Sequence, residues 1–358
     1  MKDVSVLVLS AGGPAGVNYM KAIKLGGITR VFGADSNLFH LSLCNKNCVK
    51  SFLIPRADKE DYIDKINDLL IHYDIGFLHT QSDAEVKVIS DWRDSIQANV
   101  FLPRKKTIDL CQDKYATAVR WASKWPEATP SYIYNRYELP PSYKDLFDGR
   151  KWWVRAVQGA GGKASSPIDT LEQLDAWLTY WFYREPNVKK FILQPYLPGR
   201  NIAWQSVWYD GELITSQARE RVEYIYPSLA PSGITGTPCV QRTLNEDKIN
   251  DNAIEAVKLI DQKPHGIFSV DLKENKDGRP VPTEINAGRF FTTSYFFAYG
   301  GEMFKVEGAN MPWIYTMMGI LKKPLYYKSN VNVLPEGIYW IRHIDCGHKL
   351  TTKECLDL

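Results

Sequence analysis

Residues 266–289 constrain the chain most, because they read as two β-strands joined by a tight turn with matched polar residues on one face. In Gly266-Ile-Phe-Ser-Val-Asp-Leu272, Asp271 sits between the apolar Val270 and Leu272 in a β-prone run. Lys276-Asp-Gly278 has the composition of a hairpin turn. Beyond it, Glu284, Asn286 and Gly288 alternate with Ile285, Ala287 and Arg289, so Glu284 and Asn286 share one face of a strand. Antiparallel pairing then sets Asp271 beside Glu284 and Asn286. Two carboxylates and an amide oxygen are hard donors, better suited to Mg²⁺ on phosphates than to zinc. A solvated surface hairpin would carry the same residues, and this segment alone does not separate the two.

A second run adds an anion-binding pattern. Trp152-Trp-Val-Arg155 is strongly β-prone and leads into Gln158-Gly-Ala-Gly-Gly-Lys163. Gly159, Gly161 and Gly162 let backbone amides approach an anion, and Arg155 and Lys163 can neutralise phosphate charge. The P-loop spacing, with its terminal Lys-Ser/Thr, is absent.

Taken in order along the chain, these features resemble the ATP-grasp superfamily, over roughly residues 1 to 320. Closest in flavour are free-standing proteins similar to half of the carbamoyl-phosphate synthase large subunit. The resemblance implies ATP and Mg²⁺ as cofactors, with Asp271, Glu284 and Asn286 as metal ligands. It also implies nucleotide contacts from Lys114 at the head of a helix over 113–124, from Arg155 and the glycine loop, and from Gln194, Tyr196 and Leu197 in Phe191-Ile-Leu-Gln-Pro-Tyr-Leu-Pro-Gly199. Ser206–Ile214 matches the hairpin that follows, and Gln217–Arg221 with Pro231–Thr237 match the strand and loop near the acceptor. Two departures stand out: Pro195 and Asn201 occupy positions where many members carry an acid for the nucleoside. Arg155 replaces a common lysine, and arginine keeps the phosphate role because its fork stays charged and grips bidentately.

The first hundred residues carry a rival signal. Val4–Leu9 is a buried-strand run, followed by Ser10-Ala-Gly-Gly-Pro-Ala-Gly16, a helix from Val17 to Leu25, and a strand ending in Asp35. A glycine-rich turn with an acid about 20 residues on is the dinucleotide fingerprint, here broken by Ala11 and Pro14. ATP-grasp proteins commonly open with a similar domain that binds no NAD and walls the acceptor cleft, and the downstream motifs favour that role. Thr80, Ser82 and Glu85 follow the expected fourth strand as substrate contacts, with N-capping of the next helix by Ser82 or Asp83 an equal alternative.

The expected fold is α/β, turning α+β in its C-terminal part. Residues 1–112 form a Rossmann-like pre-ATP-grasp domain, 113–195 a linking helix and lid, and 196–358 a mixed or antiparallel sheet subdomain with the metal site. At 358 residues the chain is long enough for two or three lobes. With 44 basic against 41 acidic residues it is too balanced for nucleic acid to be its main partner. No apolar run is long enough to span a membrane, and the chain starts in a strand rather than a signal h-region, so a cytoplasmic location is expected. Six scattered cysteines lack zinc pairing and read as thiols.

The chemistry expected is that of a carboxylate–amine ligase of the EC 6.3 type. A small carboxylate attacks the γ-phosphate, giving an acyl phosphate and ADP, and an amine displaces phosphate. Arg289, Arg219 and Arg221 are the catalytic candidates, placed to hold the substrate carboxylate or acyl phosphate. Alternatives are carbamoyl-phosphate-synthase-like phosphorylation of bicarbonate or carbamate, a silent ATP-binding module, and an NAD-dependent oxidoreductase. Monomer and homodimer both fit the sequence.

Overall fold

The computed structural model describes residues 4–344, apart from 45, 131, 136–146, 148, 160, 161, 163 and 186. Its described strands form three sheets. The first is wholly parallel, in the order β3-β2-β1-β4: β1 (Ser5–Leu9), β2 (Arg30–Asp35), β3 (Lys50–Leu53) and β4 (Phe77–His79). Helices α1 (Pro14–Leu25), α2 (Leu38–Cys44), α3 (Tyr62–His72) and α4 (Asp83–Asp91) alternate with these strands. β1 is buried along its whole length, which its unbroken apolar run requires of a central parallel strand. Leu7 and Leu9 pack with Ile66 and Leu70 of α3 and Ile89 of α4. Val6 and Val8 pack with Tyr19, Met20 and Ile23 of α1.

Helices α5 (Lys105–Cys111) and α6 (Lys114–Ala122) lead to a small antiparallel sheet, ordered β5-β8-β6-β7. Its strands are β5 (Tyr132–Asn135), β6 (Trp152–Ala156), β7 (Ser165–Ile168) and β8 (Lys190–Pro195), and α7 (Leu171–Arg184) covers it. Thr170 caps α7 by accepting from the Gln173 amide at 3.2 Å, and the Gln173 side chain accepts from Asp169 N at 2.8 Å. Leu174 and Leu178, one turn apart, face Val154, Phe191 and Leu193. Trp177 and Trp181 lie edge to face at 5.8 Å beside this core.

The third sheet is antiparallel, in the order β13-β12-β9-β10-β11-β14: β9 (Asn201–Tyr209), β10 (Glu212–Tyr224), β11 (Pro238–Leu244), β12 (Gly266–Glu274), β13 (Pro280–Ala287) and β14 (Tyr339–Ile341). β13 is an edge strand, where Pro280 and Pro282 cost no ladder bond. Helix α8 (Asp247–Ile260) covers one face, where Trp204 Nε1 donates to Asn250 Oδ1 at 3.0 Å. Helices α9 (Tyr295–Phe304) and α10 (Met311–Leu321) run back to the first sheet. There Phe297, Ile314 and Met318 join Val6, Val8 and Tyr19 in one apolar cluster. Among the described residues no helix is long and apolar enough to cross a membrane.

Gly319 of α10 allows this closure. A Cβ at that position would lie 2.3 Å from Phe77 Cε2 and 2.8 Å from Phe101 Cβ. Gly319→Ala is therefore expected to destabilise the protein by about 1–3 kcal/mol, because overpacking outweighs the helix-propensity gain. A lower urea midpoint at unchanged slope would register it.

Candidate active site

A cavity of about 650 Å³ lies between the small and the large antiparallel sheets. Its centre is the β12–β13 hairpin. The register sets Asp271 directly opposite Glu284, and Asn286 lies two residues further along β13 on the same face. All three line the cavity, as the alternation predicts. Like charges directly opposed across a ladder repel, so this pair costs stability unless a cation screens it. Burial raises the Asp271 carboxyl above its ordinary range; Arg221 pulls it down, donating from Nη2 to Asp271 Oδ1 at 2.6 Å, and Glu284 pushes it up. Hard oxygens in this arrangement fit a divalent magnesium-type ion.

The glycine loop hangs over this hairpin from β6 and β7, which pair Arg155 with Ser165. Gly159 (φ 125°) and Gly162 (φ 72°) adopt backbone conformations that favour glycine, and both line the cavity. Gly161 and Lys163 lie outside the described residues. Arg155 donates from Nη1 to Thr283 O at 2.6 Å, and its buried Nε has no partner among the described residues. Burial pushes this guanidinium down to about 10, with Glu284 opposing the shift. Lys114 opens α6 under the Asp113 cap. Its Nζ donates to Gly159 O at 2.5 Å and lies 3.6 Å from Glu284 Oε1, so it ties the loop to the carboxylate pair.

Gln194, Tyr196 and Leu197 line the far end, beside Pro195. Gln194 Nε2 donates to Ala128 O at 2.5 Å, and the Tyr196 amide donates to Lys151 O at 3.1 Å. Two residues here escaped the sequence reading. Glu127 accepts from Asn275 Nδ2 at 2.8 Å through Oε1, while its buried Oε2 has no partner among the described residues. Lys273 donates to Gly199 O and to Asn201 Oδ1, both at 3.1 Å, and burial lowers its pKa. Lys273 stands two residues beyond Asp271 on β12, so strand alternation could have found it. Nothing local marked Glu127.

The opposite end is cationic. Arg219 is fully buried, donating to Gln241 Oε1 at 2.5 Å and Thr293 Oγ1 at 2.8 Å, both neutral, and its Nη1 has no partner among the described residues. The rings of Phe291 and Phe297 flank its guanidinium at 4.8 and 4.9 Å. Burial pulls Arg219 well below its ordinary range, and Arg221 adds to that. Arg289 also lines the cavity but is held by both Asp83 oxygens, at 3.1 Å from Nη2 to Oδ2, and by Asn286 Oδ1 at 2.5 Å. Arg342 donates to Pro238 O at 3.0 Å and to Thr292 O at 3.5 Å, two residues of the cavity wall. No functional signal in the sequence marked that C-terminal stretch.

The N-terminal glycine turn serves packing. A Cβ on Gly12 would meet the His40 carbonyl oxygen at 2.1 Å, so α2 already fills the space above it. Asp35 accepts from Gly12 N at 3.1 Å and Asn37 N at 2.9 Å, which occupies the acid a dinucleotide ribose would need. Ser82 caps α4 through the Glu85 amide at 3.3 Å, and Glu85 is buried against Ser10 Oγ at 2.7 Å. Thr80 is buried.

No family model and no curated protein matches the sequence. The fold does have solved counterparts. Carboxyaminoimidazole ribonucleotide synthase from Aspergillus clavatus, complexed with ATP, superposes with a TM-score of 0.67 at 12% identity, over 95% of this chain and 82% of that one. L-amino acid ligase from Bacillus licheniformis gives 0.64 at 14%, over 91% and 76%. D-alanine–D-alanine ligase from Bacillus anthracis gives 0.59 at 14%, over 89% and 98%. The chain has the ATP-grasp fold. The same cavity is lined by the described candidates for the metal and the nucleotide and by Arg219, Arg221 and Arg289, but not by Thr80, Ser82 or Glu85.

Proposed function

We propose that this chain is an ATP-dependent ligase that activates a small carboxylate as an acyl phosphate, with ADP and phosphate as products, and joins it to an amine or similar nucleophile. The observation that carries this reading is one cavity holding both an opposed carboxylate pair, Asp271 and Glu284, and a buried arginine without a carboxylate partner among the described residues, Arg219. The first suits metal-bound phosphates and the second an anionic acceptor. Solved proteins of this fold include complexes with ATP and with MgADP, which supports the same assignment.

In this reading Asp271, Glu284 and Asn286 hold Mg²⁺, and the bound ion supplies screening of phosphate charge. Arg155, Lys114 and the glycine loop position the phosphates and stabilise the charge that develops on transfer. Backbone groups from Gln194 to Leu197 hold the base, with the free Glu127 oxygen as an acceptor for an exocyclic amino group and Lys273–Asn201 beside the ribose. Arg219 and Arg221 orient the attacking carboxylate, and Arg289, anchored by Asp83, steadies Asn286. Residues 113–195 act as the lid, excluding water from an intermediate that would otherwise hydrolyse.

Release of ADP, screened over amino acids and small carboxylic acids with and without amines, tests the proposal. With ¹⁸O-labelled carboxylate, one label should appear in inorganic phosphate, because the oxygen that attacked phosphorus leaves with it. Label in AMP, with pyrophosphate as co-product, would refute the acyl-phosphate route.

A further inference from the structure

A second cavity, of about 490 Å³, opens beside the first, between the lid helix and the loop that follows β10. Its walls are Trp177 and Trp181 of α7 with Ile225, Tyr226, Leu229 and Ile234 of that loop. Gly162, Ser165 and Ile234 line both cavities, so the two adjoin across the tip of the glycine loop. A Cβ on Gly162 would lie 2.9 Å from Ile234 O, which shows how closely lid and loop meet there. Thr235 turns its hydroxyl to Ile225 O at 2.7 Å and offers this chamber no donor.

The loop holds its apolar residues open by fixed geometry. Tyr226 sits in the left-handed region at φ 47°, and the short 3₁₀ turn Pro227–Leu229 closes with Leu229 N on Tyr226 O at 3.0 Å. Leu229 is 78% exposed and Tyr226 51% exposed. Large apolar side chains kept in water by strained backbone are a cost that contact with a ligand offsets. On its other side the same loop lines the main cavity through Ser232 and Gly236, as do Arg221 and Tyr224.

We infer that the second cavity receives the large apolar or aromatic side chain of an amino-acid substrate whose charged head lies in the main cavity. This rests on the ligase reading above and narrows its substrate class. The space is ample for an indole or phenyl ring. Ile344 also borders the chamber, so the rival occupant is the chain's own residues beyond it.

Equilibrium binding of alanine, leucine, phenylalanine and tryptophan, measured in the presence of Mg²⁺ and the non-hydrolysable β,γ-methylene analogue of ATP, tests this. Affinity is expected to rise with apolar size, by roughly 10-fold or more from alanine to phenylalanine. Leu229→Asp, at an exposed position, and Trp177→Ala should flatten that series while the melting-temperature rise caused by the Mg²⁺-bound analogue persists. A flat series in the native protein, binding of none of the four, or a preference unchanged in both variants overturns the inference alone. Absence of any nucleotide-induced rise in the native protein overturns the ligase reading and this inference together.

Discussion

Glu284→Gln is expected to lower turnover on the order of 10²–10³-fold while nucleotide affinity changes far less. The substitution keeps size and one oxygen donor but removes the charge that matters once phosphate charge is moving. A second consequence separates this residue from a structural one. Glu284 faces Asp271 directly in the ladder, and its nearest cation is Lys114 Nζ at 3.6 Å. Removing it relieves the repulsion from Asp271 but also takes a carboxylate from Lys114 and from the buried Arg155, so the melting temperature of the ligand-free protein should stay within about 5 °C of the parent. Single-turnover ADP formation and calorimetry together make the check. Native rates for Glu284→Gln in limiting Mg²⁺ would remove the pair from the chemistry.

Arg219→Met should show a similar split at the other end of the cavity. An unbranched apolar chain fits the slot between Phe291 and Phe297 and takes an uncompensated charge out of a fully buried site. Replacing a buried charge with a hydrophobic residue is often neutral or stabilising, although Gln241 and Thr293 lose a donor here. The expected result is a melting temperature within about 5 °C of the parent, where roughly 1 kcal/mol corresponds to a few degrees. The acceptor-dependent rate should fall on the order of 100-fold or more. A large loss of stability with intact acceptor kinetics would assign Arg219 to packing instead.

What the sequence disclosed follows how far each signal travels along the chain. Asp271, Glu284 and Asn286 were legible because strand alternation fixes faces locally and Gly278 marks the turn between them. The partner of Arg289 was not, because Asp83 lies 206 positions away and meets it only when α4 and β13 converge. Arg342 was invisible for a like reason: it reaches the cavity wall only because β14 adds to the edge of β11. The N-terminal turn misled in the opposite direction. Its glycines match a cofactor fingerprint, yet at Gly12 the small residue is needed for the close approach of α2.

The apolar cluster that joins β1 and α1 to α9 and α10 bears on how the chain is made. During synthesis Val6, Val8, Tyr19 and Met20 emerge first, while Phe297, Ile314 and Met318, which cover them, emerge last. At roughly 5–20 residues per second, that face of the nascent sheet waits on the order of ten seconds or more for its cover. Through that interval the ribosome carries an exposed apolar surface, and chaperone occupancy on nascent chains should fall only once α10 has left the exit tunnel.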